Sequence, residues 1–334
     1  MTQVDGGRQT GEKFLEFDGP VSFDAQAEVD IEPPRSPWRM TRIAVFLAVL
    51  TFLSTFWAGA TNWIPTYALI RSWEVSSLLP IRLSVLANWK GALQFSLALM
   101  GILAAHEFGH YLLTLYYRVP STPPLFIPFP ISPIGTCGAV IAMHGGQADR
   151  RQIFDIGLAG PIAGLLVAFP VMLYAMWHPQ PLEYAPHKLM SMGNPLIVQW
   201  MAHWFVPSEA TRYVRMLNTE VSPLMMAAWV GFLVTGLNMM PIGQLDGGHV
   251  TFGLIGPRSM WLGIGAIIAS AAYIAYFQVL MYLLMLILVL LMGPRHPPSR
   301  DDTRELGWPR RIIGWLSLCI PLLCIPANPI MNLP

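Results

Sequence analysis

The chain has 334 residues, of which 54% are hydrophobic and only 12% charged, with a formal net charge of +1. A soluble domain carries roughly 25% charged residues, so the composition excludes a globular enzyme on a single anchor and predicts an α-helical polytopic membrane protein. The near-neutral balance argues against nucleic acid as a partner and makes the lipid bilayer the expected surroundings.

Residues 1–40 are polar, rich in Asp, Glu, Gly and Pro, and end in EPPRSPWR. They cannot bury enough apolar surface to order themselves and are expected to form a disordered cytoplasmic tail. The start lacks the short basic stretch and small-residue cleavage site of a signal peptide. Apolar runs of bilayer-crossing length, about 17–25 residues, fall near 42–60, 92–117, 153–177, 222–242, 258–275, 277–293 and 311–327. The fifth and sixth form one stretch longer than a single crossing needs, and are read as two helices. About six to seven transmembrane helices result, with an interfacial piece rich in Trp and Arg near 66–90. The chain divides into the tail, a first span with its interfacial segment (41–90), a transmembrane core (91–250) and C-terminal helices (251–334). With the N-terminus cytoplasmic, about 14 of the 20 Lys and Arg lie on that side, as the positive-inside rule requires. A multi-pass protein of a bacterial inner membrane is expected. The three cysteines, Cys137, Cys319 and Cys324, have no zinc-cluster or disulfide spacing and are expected to be buried thiols.

The second span contains AAHEFGHYLL, residues 104–113. A charge at the bilayer centre costs roughly 2.5–3.5 kcal/mol even on lenient scales, so His106, Glu107 and His110 need a reason to be there. HEFGH is an H-E-x-x-H pattern: on a helix, positions i and i+4 share a face, so both histidines can reach one metal, with Glu107 beside it as general base. The plain alternative is a polar patch bonding neighbouring helices, which gives no reason for Glu107. Zinc takes three protein ligands and keeps a fourth position for water. The candidate third ligand is Asp246 in LNMMPIGQLDGGH, residues 237–249, where Pro241 and Gly243 break the helix and Gly247 and Gly248 free the backbone to turn. Taken alone, Asp246 and Gly247 would read as an interfacial turn. Both segments lie toward the inner ends of spans running in the same direction, so they can meet.

The motif HEFGH in one span, Asn238-Met-Met-Pro241 followed by Leu245-Asp246-Gly247 in a later one, and GLAGPIAG (157–164) between them resemble the site-2 protease family of intramembrane zinc metalloproteases. The resemblance covers about 92–250. It implies one zinc per chain held by His106, His110 and Asp246, Glu107 as catalytic acid/base, and Asn238 binding substrate near the metal. It also implies hydrolysis of a peptide bond in or near the transmembrane helix of a membrane-protein substrate. The alternative from another class is a metal-binding transporter or an inactive scaffold, which has no need of Glu107.

The remaining motifs are read around that core. Prolines and glycines exclude a long helix from 118–152, a β or re-entrant segment. GTCGAVIAMH (135–144) is expected as a short strand whose edge pairs with an extended substrate. Gly160 and Gly164 form a GxxxG pair that lets the third span approach the metal helix. Asp155 is expected as a helix cap and Pro161 as a helix-start residue. His249 is a candidate for supporting the centre or binding substrate, and His144 a weaker one. His178, His187, His203 and His296 are expected in solvated loops.

Overall fold

The computed structural model describes residues 37–143, 145–178, 191–206, 222–279, 282–327 and 330–331. His144, His187 and nearly all of the expected tail lie outside the described residues.

Helix α1 spans Pro37–Ala60, α2 Pro65–Glu74 and α3 Leu79–Tyr117. The 39 residues of α3 reach about 58 Å at 1.5 Å per residue. It absorbs much of the segment expected to lie separately at the interface. Pro80 sits in its first turn, where no intrahelical N–H is lost, and no later proline interrupts the run to Tyr117. The helix closes at Arg118, in the left-handed region with φ 56°, just before Val119 and Pro120.

The 118–152 connection carries a hairpin, β1 Leu125–Pro128 and β2 Thr136–Val140, antiparallel with Phe126 opposite Ala139. Strand β2 falls within the expected GTCGAVIAMH segment. Its partner β1 was masked in the sequence by the prolines around it. The hairpin is tied to α1, since Ser54 Oγ donates to the Gly135 carbonyl at 2.5 Å. Gly135, with φ 77°, passes so close to the Ser54–Thr55 backbone that a Cβ there would collide.

Helix α4, Arg150–Trp177, opens on a capping box: Asp149 accepts from the Gln152 N–H and its own N–H donates to Gln152 Oε1. Asp155 is therefore not the cap, and Pro161 lies well inside the helix rather than at its start. There follow α5 Leu196–Phe205, α6 Pro223–Asn238, α7 Asp246–Ile255, α8 Ser259–Phe277, α9 Leu283–Met292, α10 Trp308–Ser317 and α11 Ile320–Cys324. His203 thus lies on a helix and not in a loop, although it is exposed. Cys137 and Cys319 are exposed and only Cys324 is buried.

Among the described residues, four helical stretches are long and apolar enough to cross a membrane: Arg39–Ala60, Leu79–Tyr117, Arg150–Trp177 and Asp246–Phe277, the last combining α7 and α8. Helices α6 and α9 are apolar but shorter. The run at 311–327 is not one helix; Arg310, Arg311, Gly314 and Ser317 give α10 a polar and small-residue face, and Pro321 follows the break before α11. Phe46, Leu97, Leu166 and Ile268 all point outward. So much exposed apolar surface is expected against lipid and not against water, and the chain is built as a polytopic membrane protein.

Inside, Phe95, Leu99 and Ile102 of α3 pack with Ala168 and Met172 of α4 and Val230 of α6 in one core cluster. The segment after α9 straps across the ends of these helices. Arg310 donates through Nε and Nη2 to the two oxygens of Asp155 at 2.7 and 2.8 Å, and Tyr117 Oη donates to the same carboxylate at 2.6 Å. Arg150 donates to the Gly253 and Leu254 carbonyls, and the Arg300 N–H to the Ala148 carbonyl. Replacing Arg310 with Leu strands a largely buried carboxylate. It should destabilise the protein by about 1–3 kcal/mol, less than a fully buried pair because the guanidinium is partly exposed. Thermal denaturation in detergent measures this, and the double change Asp155→Leu with Arg310→Leu should recover part of the loss.

Candidate metal centre

The buried face of α3 is one continuous stripe: Asn88, Ala92, Phe95, Leu99, Ile102, His106, His110 and Thr114. Steps of three and four residues keep these positions on one side of a helix. The histidines therefore continue the packing face of an apolar helix, which is why these residues are only 2% and 5% exposed; Glu107 beside them is buried too. Asp246 arrives from α7, of which it is the first residue. The carbonyls of Met239 and Met240 press against Gly247, and those of Ile242 and Gly243 against Gly248, where any Cβ would collide. Gly247 and Gly248 thus lie within a helix and not in a turn as the sequence suggested. Their missing side chains let the 239–245 turn fold tightly onto the start of α7 and aim Asp246 at α3.

His106 Nε2 lies 3.0 Å from Asp246 Oδ2 and His110 Nε2 3.3 Å from Asp246 Oδ1. Among the described residues, these three form the group that could hold a metal ion, with one ligand atom from each lying within 4.8 Å of the others. Protonation bears on the fit. His110 Nδ1 meets the Ile156 carbonyl at 2.7 Å; a carbonyl only accepts, so Nδ1 carries a proton and Nε2 is the nitrogen left to face Asp246 or a metal. Two Nε2 atoms turned to one carboxylate gather the donors that a shared cation would bind. Two imidazoles and one carboxylate suit zinc, and three donors leave its fourth tetrahedral position for water or substrate.

Helix α4 makes the approach possible through a ladder of glycines. A Cβ on Gly160 would overlap the His110 ring, one on Gly164 would meet His106 Nδ1 at 3.1 Å, and one on Gly157 would meet His249 Cβ at 2.6 Å. Reciprocally, Gly109 of α3 sits against Ala159 and Ala163 of α4. The GLAGPIAG segment is therefore the floor on which the histidine rings lie.

Asn238 closes α6 half-buried, and among the described residues no hydrogen bond joins it to His106, His110 or Asp246. His249 lies one turn beyond Asp246 on α7, and its Nδ1 is 2.7 Å from Nε2 of His296. His296 is thus no solvated loop residue: it is partly buried and stacks on Phe252 with ring centroids 4.1 Å apart. No local pattern marks it, because its partner is 47 residues away.

The family model for peptidase family M50 matches residues 94–286. The chain is 26% identical over 317 residues to the Arabidopsis thaliana protein named "Probable zinc metalloprotease EGY1, chloroplastic", an alignment covering 92% of this chain and 57% of that protein. It is 30% identical over 181 residues to the protein of the same name in Oryza sativa subsp. japonica, covering 52% and 30%. It is 28% identical over 213 residues to "Probable zinc metalloprotease EGY2, chloroplastic" of Arabidopsis thaliana, covering 60% and 36%. The chain thus spans between about a third and somewhat over half the length of these relatives.

If the glycine floor sets the site, Gly160→Ala should drive the His110 ring off position. Cleavage and zinc content should both fall at least 10-fold, in the range expected when the support of a metal ligand is lost. Gly101→Ala on α3, where an added Cβ meets nothing within 4 Å, should leave both unchanged. Metal analysis of the purified variants distinguishes the two.

Proposed function

The chain belongs to peptidase family M50, and on that premise we propose that it is a zinc-dependent intramembrane endopeptidase. Its substrates would be membrane-anchored proteins cut in or near a transmembrane helix. The observation that carries this reading is the meeting of His106 and His110 with Asp246, 140 residues from His106 in sequence, inside an apolar helix bundle.

In this reading His106, His110 and Asp246 hold the metal, and Glu107 is the acid/base. Zinc bound there would polarise the scissile carbonyl and acidify a water molecule. Glu107, buried on α3 three residues before His110, takes the proton released by the attacking water. It then hands that proton to the departing amine nitrogen. His110 is held by its Nδ1–H bond to the Ile156 carbonyl, so its ring cannot swing away when the substrate enters. Asn238, at the end of α6, donates its amide N–H to the substrate carbonyl. An apolar cavity of about 660 Å³ beside its neighbours Leu237, Met240 and Pro241 offers room for an incoming apolar segment. A helical peptide bond is shielded by its own hydrogen bonds, so the substrate must unwind, and β2 supplies an edge to which the extended strand can pair.

We assign residues 91–250 to the catalytic core. Six to seven crossings require α6, α9 and the α10–α11 pair to traverse the bilayer together with the four long helices. The excess of Lys and Arg in the loops supports a cytoplasmic N-terminus in a bacterial inner membrane, although the relatives are named as chloroplastic.

Purified wild type should hold about one zinc and cut single-span model substrates in detergent. Glu107→Gln should keep its zinc and lose activity by about 10²–10⁴-fold, whereas Asp246→Ala should lose the metal. Equal cleavage by Glu107→Gln would sink the reading. For the strand, Ala139→Pro or Ile141→Pro should lower cleavage with zinc content unchanged; wild-type cleavage in both would remove edge pairing from the mechanism.

A further inference from the structure

The segment after α9 lies beyond the residues matched by the family model, yet it reaches to within one helical turn of Asp246. His296 Nδ1 is 2.6 Å from the Pro297 carbonyl, and its Nε2 is 2.7 Å from His249 Nδ1. The carbonyl can only accept, so the proton of His296 is on Nδ1. Burial lowers the pKa of His296 below its ordinary value, which keeps the ring neutral and leaves Nε2 as an acceptor. His249 must then donate from Nδ1. A neutral His249 therefore carries a bare lone pair on Nε2, and among the described residues that atom has no hydrogen-bond partner.

The place of His249 beside the metal group follows from the glycine floor. His249, His110 and His106 lie against Gly157, Gly160 and Gly164 of α4 in turn. At 1.5 Å per residue, the first two rungs are about 4.5 Å apart along the helix and the next about 6 Å further on. His249 meets the lowest rung through its Cβ, three residues past Asp246.

We propose that His249 is a further residue of the centre, a hydrogen-bond acceptor for a main-chain N–H of the extended substrate, and that His296 is the positioning residue fixing its tautomer from the C-terminal strap. This deepens the protease reading and rests on it for the identity of the ligand, but the tautomer itself does not depend on proteolysis. His296 also stacks on Phe252, so a purely structural role must be separated from the hydrogen-bonding one. Phenylalanine at 296 keeps the stack and removes the acceptor. At 249, glutamine places a carbonyl oxygen near the position of Nε2, whereas asparagine does not reach it.

The experiment uses the full chain, labelled with ¹⁵N in its histidine rings and purified in detergent, with the His249 signals assigned by their loss in His249→Asn. In wild type His249 should be protonated at Nδ1 and bare at Nε2, and His296→Phe should shift it toward the opposite tautomer. In parallel, His296→Phe and His249→Asn should cut a single-span substrate 10–100-fold more slowly at near-wild-type zinc content, and His249→Gln should recover much of that loss. An Nε2-protonated His249 in wild type overturns the proposal, as does wild-type cleavage by His296→Phe. Loss of zinc along with activity in His296→Phe overturns it too, because it assigns His296 a structural role alone. Should wild type fail to cut any substrate, the protease reading falls separately, and the ring shifts still decide the tautomer.

Discussion

Everything at the centre depends on how closely α3 and α4 approach. Two imidazole rings stand between these helices, and there is room for them only because α4 has no side chains at Gly160 and Gly164. Without that floor, His106 and His110 would have to turn outward into lipid, where a bare imidazole has nothing to bond. Helices in a bilayer gain little from hiding apolar surface from one another, so close packing and polar contacts must hold them together. Here the two coincide: the small residues that permit van der Waals contact are those that seat the polar rings.

The cost of placing ionisable groups in an apolar helix is met by the same arrangement. The histidines extend a buried stripe that begins with Asn88 and Ala92, so they never face the hydrocarbon. The carboxylate that completes the group enters on a separate short helix through a backbone break, and irregular backbone at membrane depth is tolerated when it is buried in protein. Met239 to Gly243 supply carbonyls that pack on Gly247 and Gly248, which makes the break a compact turn and gives Asp246 a fixed direction. The C-terminal strap then ties the ends of α3, α4 and α7 together. Arg310 of the strap reaches Asp155, to which Tyr117 also donates, and His296 reaches His249, while Arg150 of α4 itself bonds the Gly253 and Leu254 carbonyls.

Much of this was legible in the residues. HEFGH has helical spacing that puts two imidazoles on one face, and a carboxylate beside a helix break later in the chain was the natural third donor. Gly160 and Gly164 also announced close packing. The boundaries read less well. The continuous 39-residue α3, the strand β1 among prolines, the helical placement of Gly247 and Gly248, and the capping residue Asp149 in place of Asp155 all differ from the sequence reading. The cap is a local pair, Asp149 with Gln152, and α3 runs on because no proline follows Pro80 within it. By contrast, β1 and the two glycines are fixed by contacts with other segments that local propensity does not encode.

The sequence by itself determined the class of protein and the candidate donors of its centre, because hydropathy and helical periodicity are local properties of a chain in a bilayer. Only the tertiary structure decided that each glycine of α4 serves a particular histidine, that Asp155 is an ion-pair partner, and that His296 touches the column of rings. Those facts depend on contacts between residues far apart in the chain, such as the 155 positions separating Arg310 from Asp155. No short pattern encodes such a contact, since it exists only once the helices have packed.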